Sequence, residues 1–95
     1  MAAYVITSLT VNDPVAYEEY RKQVQATIDK YEGKFIVRGG KIESLEGAWR
    51  PGRLVVIEFA SVEQAKRWYD SPEYSAIKSI RINASTGDML VVEGV

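Results

Sequence analysis

The chain has 95 residues with 12 basic and 13 acidic side chains, a formal net charge of −1, and so the length of one domain with a single modest core. It has no cysteine and no histidine, which removes disulfides, thiolate chemistry, the usual general base near neutral pH and the commonest metal and haem ligand. Its charges are interspersed and no apolar run reaches the ~18 residues of a membrane span, so the expectation is a soluble, cytoplasmic domain with neither nucleic acid nor membrane as partner.

Residues 3–11 are rich in β-branched and aromatic types and predict a first strand. Asn12-Asp13-Pro14 ends it and starts a helix: Asp13 can cap, and proline suits the first helical position because its missing N–H would have no partner there. From Val15 to Tyr31 the residues Tyr17, Tyr20, Val24, Ile28 and Tyr31 recur every three or four positions and form one buried stripe. Gly33 is a natural helix stop.

A second strand begins at Phe35-Ile36-Val37-Arg38. Gly39-Gly40 interrupts it, and Lys41 to Leu45 is expected to resume it after a bulge. Leu54 to Ala60 is the most apolar segment and predicts a central third strand. Ser61-Val62-Glu63-Gln64 has the capping-box pattern, with Ala65, Trp68 and Tyr69 as the apolar face behind it. Asp70-Ser71-Pro72-Glu73 restarts the helix, which Tyr74, Ile77 and Ile80 or Arg81 continue to about Ala84. Asp88 to Glu93 is the fourth strand.

The order β-α-β-β-α-β with right-handed crossovers predicts an α+β, ferredoxin-like fold: a four-stranded antiparallel sheet with its helices on one face. The other face stays uncovered, and it carries Leu54, Val56 and Glu58 if Val55, Ile57 and Phe59 point to the helices. Pairing two such faces about a twofold axis would remove that apolar surface from water, so a homodimer is expected.

The segments Phe35-Ile36-Val37-Arg38-Gly39-Gly40, Glu46-Gly47-Ala48-Trp49-Arg50-Pro51-Gly52-Arg53, Leu54 to Phe59 and Ala65-Lys66-Arg67-Trp68-Tyr69-Asp70-Ser71-Pro72-Glu73-Tyr74, read in order, resemble the DUF1330 family of the dimeric α+β barrel superfamily. The resemblance spans almost the whole chain. It implies the ferredoxin-like fold and a sheet-to-sheet dimer, but no reaction. Distant superfamily relatives include quinol-forming monooxygenases, haem-degrading enzymes, muconolactone isomerases and ligand-sensing regulator domains, whose motifs do not occur here.

The stretch from Arg38 to Glu58 is where the sequence carries residues that a fold alone does not need. Glu58, in an apolar strand, is a candidate general base; the structural alternative is an ion pair with Arg38, with Arg53 or across the dimer. Arg38 has opposite parity to Phe35 and Val37, so it is expected to face away from the hydrophobic layer. With the N–H groups of Gly39 and Gly40 it could hold a carboxylate or enolate-like oxygen, the alternative being a bulge with a solvated arginine. Trp49 is either a dimer or loop-packing contact or a cleft wall, and Tyr69 is either core or a hydroxyl presented to a pocket. Ser71 is an N-cap, since no histidine exists to activate it.

The expected site therefore groups Arg38, Gly39, Gly40, Trp49, Arg53, Glu58 and Tyr69 near the mouth of a dimer barrel, with no metal and no cofactor. Its ligand is expected to be small and anionic or enolisable. Three readings stand. One is a cofactor-free enzyme doing proton transfer or oxygen chemistry on a small carbonyl or phenolic compound, with Glu58 as base and Arg38 holding the oxygen. The second is a dimeric small-molecule binder, and the third a structural dimer with an ion-pair network.

Overall fold

The computed structural model describes residues 1–95. Its elements are β1 (Ala3–Val11), α1 (Pro14–Lys30), β2 (Lys34–Arg38), β3 (Arg53–Phe59), α2 (Val62–Tyr69), α3 (Pro72–Ala84) and β4 (Ser85–Glu93). The four strands form one sheet in the order β2-β3-β1-β4, every neighbouring pair antiparallel. This is the ferredoxin-like arrangement, with the second helical segment broken into α2 and α3.

Local chemistry sets the helix boundaries. The Asp13 side chain accepts from the N–H of Ala16 at 3.1 Å, with Pro14 in the first turn. Ser61 caps α2 through the Gln64 N–H at 3.1 Å, and Ser71 caps α3 through the Tyr74 N–H at 3.1 Å. At the end of α1, Gly33 N–H donates to the Ile28 carbonyl and Glu32 N–H to the Asp29 carbonyl. That is a Schellman closure in which Glu32, at φ 61°, takes the left-handed position. Gly33 serves a different purpose, since a Cβ there would run into the Phe59 ring.

Two expected boundaries move. Lys41 to Leu45 forms no strand: the chain leaves β2 at Arg38, and residues 39–52 cross the surface as an irregular loop. The fourth strand starts at Ser85, three residues earlier than expected, because Ser85 turns directly from the end of α3 into extended backbone and pairs with Val11. Gly87 lies inside the strand opposite Leu9.

Alternation divides the sheet. Val5, Leu9, Val55, Ile57 and Phe59 join Tyr17, Tyr20, Val24, Ile28, Trp68, Tyr74 and Ile77 in one buried cluster between sheet and helices. Trp68, Tyr74, Phe59 and Ile28 are its largest fully buried side chains, each worth about 1.5–3 kcal/mol on transfer from water. The opposite face carries Tyr4, Ile6, Leu54, Val56, Leu90 and Val92, in register across β3, β1 and β4, and no element covers it. Leu54, Val56 and Glu58 are on this face, as the alternation predicted. The molecule is a slab 35 × 34 × 17 Å, two layers thick.

Candidate functional site

Between α1 and the sheet is a narrow cleft with about 20 Å³ of interior space, enough for a water-sized group. α1 presents Tyr17, Tyr20, Arg21 and Val24 to it at helical spacing; β1 presents Thr7, β3 presents Arg53, and α3 presents Arg81. The cleft is lined by four arginines, Arg21, Arg38, Arg53 and Arg81, and by no carboxylate.

Each guanidinium is positioned. Arg38 donates to the Gln25 side chain at 3.1 Å and to the Arg21 carbonyl at 3.2 Å, and stacks over the Phe35 ring with its Cζ 4.2 Å from the centroid. Arg53 Nε donates to the Tyr17 hydroxyl at 3.2 Å. Arg81, only 7% exposed, donates through Nε to the Tyr74 hydroxyl at 3.1 Å, and that hydroxyl lies 3.0 Å from the one of Tyr20.

The charges are not balanced. The ion pairs of the molecule are Glu18–Arg21, Glu19–Lys22 and Lys30–Glu73, which leaves Arg38, Arg53 and Arg81 without a carboxylate. Burial opposes the Arg81 charge, but the neighbouring tyrosine oxygens outweigh it and Arg81 stays cationic. Burial pushes the Tyr20 hydroxyl well above the ordinary phenol range, with Tyr74 adding to the effect, and burial raises Tyr74 as well. Both stay protonated and neither supplies a counter-charge. Thr7, 2% exposed, also faces the cleft, and its hydroxyl is the one buried side-chain polar atom without a hydrogen-bond partner. A buried group of this kind normally finds a partner.

The structure divides the residues expected to act together. A register shift between Phe35 and Val37 bulges β2 at Ile36 and resets its alternation, so Arg38 comes opposite Val55 on the helix side rather than facing away from the hydrophobic layer. Arg53 has the parity of Val55 and Ile57 and shares that side. Glu58 is on the other face of the sheet, opposite Tyr4 on β1 and Lys34 on β2. An ion pair between Glu58 and Arg38 or Arg53 of the same chain is therefore not formed, and the three do not meet at one barrel mouth. Glu58 instead borders an open depression of about 400 Å³ with Glu32 and Lys34.

Gly39 belongs to the arginine cleft indirectly. Its φ is 69°, its N–H donates to the Leu54 carbonyl at 2.8 Å, and a Cβ there would collide with the Arg53 guanidinium. Gly40 has open space around it. Trp49 is 66% exposed in the loop and lines neither cleft nor depression. Tyr69 packs beneath Lys78, whose Nζ is 3.7 Å from the ring centroid, and borders a separate apolar groove between α2 and β4.

Sequence reasoning missed Thr7, Tyr17, Tyr20, Tyr74 and Arg81 as site residues. One signal was legible: Arg81 falls on the apolar stripe of α3 with Tyr74 and Ile77, where a charge has no structural reason to be. No group of three or more metal-ligating side chains converges, and no helix is long and apolar enough to cross a membrane. Chemically, the cleft can hold an anionic oxygen and stabilise the ionised form of a bound enol or phenol.

A four-stranded antiparallel sheet backed by helices on one face, with a cation-lined cleft between the layers, defines a ferredoxin-like α+β protein. The chain belongs to the family described as Domain of unknown function (DUF1330), whose model matches residues 2–95. No curated protein matches the sequence. Among solved structures, a protein of unknown function from Rhodopseudomonas palustris is similar at a TM-score of 0.78 and 15% identity, covering 99% of this chain and 82% of that one. SnoaB, a cofactor-independent oxygenase from Streptomyces nogalater, is similar at a TM-score of 0.68 and 14% identity, with 99% and 93% covered. A dimeric protein of unknown function and ferredoxin-like fold from Bacteroides fragilis gives a TM-score of 0.62 at 12% identity, with 98% and 95% covered. At these identities the likeness is one of fold.

Proposed function

We propose that the protein binds a small organic anion, one anionic oxygen entering the cleft between α1 and the sheet and the apolar body lying at its open side. One observation carries the reading: three guanidiniums without carboxylate partners, one of them buried, line a single cleft. A buried cation lacking a counter-ion is costly, and like charges around one small space repel, so an anionic ligand relieves both. Leu9, Val24, Val55 and Ile57 supply the apolar walls.

Cofactor-free chemistry is the second reading, favoured by the likeness to a cofactor-independent oxygenase. On this reading the guanidiniums lower the pKa of a bound enol or phenol and hold the resulting oxyanion. Glu58 is too far round the sheet to act on the same ligand, so a base role for Glu58 belongs to a ligand in the depression beside Lys34. We also propose that the uncovered sheet face pairs with a second copy. Its apolar row of Tyr4, Ile6, Leu54 and Val56 and the dimeric relative from Bacteroides fragilis support this.

Titration with benzoate, followed by amide chemical shifts, tests the site. Perturbation should centre on Thr7, Tyr20, Arg53 and Arg81. Shifts centred on Lys34 and Glu58, or none at millimolar benzoate, would overturn the reading.

A further inference from the structure

We infer that the cleft reads the head group of its ligand through the Tyr20 hydroxyl hydrogen, aimed inward by a chain running from Arg81 through Tyr74, and that this head group is one planar oxyanion, a carboxylate or enolate, rather than a phosphate or sulfate. The inference rests on the anion-binding reading above and names its ligand class.

The direction of the chain follows from counting hydrogens. A phenol has one hydrogen and can accept as well. The Tyr74 hydroxyl accepts from Arg81 Nε at 3.1 Å and is 3.0 Å from the Tyr20 hydroxyl. Tyr74 is fully buried, with no other acceptor for its hydroxyl. If Tyr20 donated to Tyr74, the hydrogen of Tyr74 would be buried without a partner. One phenol hydrogen is left over in either direction, and running from Arg81 to Tyr74 to Tyr20 places it on the residue that lines the cleft rather than on one sealed in the core. Tyr20 then keeps its own hydrogen, and its ring borders the cleft. Each link polarises the next in a low-dielectric setting, which strengthens the final donor toward an anionic acceptor.

The same geometry limits what the donor can meet. Tyr17 and Tyr20 stand with ring centroids 5.6 Å apart, and Thr7 lines the same cleft. An interior of about 20 Å³ admits one oxygen-sized group, about the size of a water. One oxygen of a planar carboxylate or enolate fits such a space, with its carbon skeleton outside it, at the open side of the cleft. A tetrahedral phosphate monoester placing one oxygen there leaves two charged oxygens outside, against one for a carboxylate and none for an enolate, and so gains less from the single donor. Tyr20 is therefore the contact residue, and Tyr74 a positioning residue that acts through it.

The test compares benzoate with phenyl phosphate on wild type, Tyr20→Phe, Tyr74→Phe and the double variant. Wild type should bind benzoate at least tenfold more tightly than phenyl phosphate. Tyr20→Phe should weaken benzoate about tenfold. Tyr74→Phe should weaken it several-fold, and the double variant should be no weaker than Tyr20→Phe alone. A structural effect of Tyr74 would instead add to that of Tyr20. Benzoate binding that neither tyrosine variant alters, or additive losses in the double variant, would overturn the hydroxyl chain while leaving the anion site standing. Phenyl phosphate binding as tightly as benzoate would overturn the head-group assignment. No binding of benzoate to wild type would remove both. Should Tyr74→Phe not fold, the Tyr20→Phe measurement and the phosphate comparison decide the matter alone.

Discussion

Arg81 is the residue on which stability and function pull in opposite directions. Its guanidinium displaces hydrocarbon from the stripe of α3 and is held only by a neutral hydroxyl. Replacing an uncompensated buried cation with an apolar side chain of similar volume often stabilises a protein. Arg81→Met should therefore raise the stability of the ligand-free protein by about 1 kcal/mol, which for a domain of this size moves the midpoint by roughly 4–8 °C. It should also abolish stabilisation by benzoate. Thermal unfolding with and without benzoate checks both halves, and a variant that loses stability in the free state would show that the charge is structural. Arg53 shows the complementary case, where a neighbour makes room for function. Its guanidinium occupies the space that a side chain at position 39 would fill, so Gly39 is tied to the cleft by the absence of a Cβ.

At the scale of elements, α1 and α3 are joined by a polar clasp at one end. Lys30, in the last turn of α1, pairs with Glu73 in the first turn of α3, and the Tyr31 hydroxyl donates to the same carboxylate at 2.8 Å. The Lys30 partner, followed by the backbone and Tyr31, holds the Glu73 carboxyl down at about 2 against an ordinary 4.5. Because the folded value is depressed, the clasp contributes its full stabilisation above about 4.5 and loses it as pH falls toward 2. Glu73 pulls the Lys30 ammonium up in turn, so the same interaction, present while Glu73 is ionised, is lost on the other side only at strongly alkaline pH. The pair is exposed, so its effect is small and weakens with salt. In Lys30→Met the Glu73 midpoint, followed by side-chain carboxyl NMR, should move up toward 4.5. Any stability difference from wild type should vanish as the solution is acidified below it. A midpoint that does not move would assign the depression to Tyr31 and the helix end.

For the whole molecule the governing fact is its thinness. A slab 17 Å thick buries one sheet face and leaves the other wet, with Leu90 55% and Val92 45% exposed. The open face of a slab 35 × 34 Å across is of the size needed for the ~800 Å² that each partner buries in a standard interface. Light scattering on the proposed dimer should give twice the chain mass at micromolar concentration. Val56→Glu, set among Ile6, Leu54 and Val37 on that face, should yield a folded monomer. A wild-type monomer would remove the proposal, and the arginine cleft would still stand, since it opens on the other side of the sheet.

The helix starts and the side β3 buries were written locally: Asp13-Pro14, the Ser61 and Ser71 caps and the alternation of Leu54 to Phe59 need only their near neighbours. The sequence by itself thus determined the element order, the ferredoxin-like α+β fold and the family resemblance. It also marked Arg38, Gly39 and Arg53 as residues beyond the needs of packing. It could not determine which of them meet. A one-residue bulge at Ile36 turns Arg38 over to the helix side, and such a shift leaves no sure mark in composition because period-two alternation is reset by a single extra residue. Arg81 and Thr7 lie 74 positions apart, and only the packing of α3 against the sheet brings them to one cleft. Tertiary structure decided where charge is left uncompensated, because burial and the lack of a partner depend on every element packed around a group and not on the residue itself.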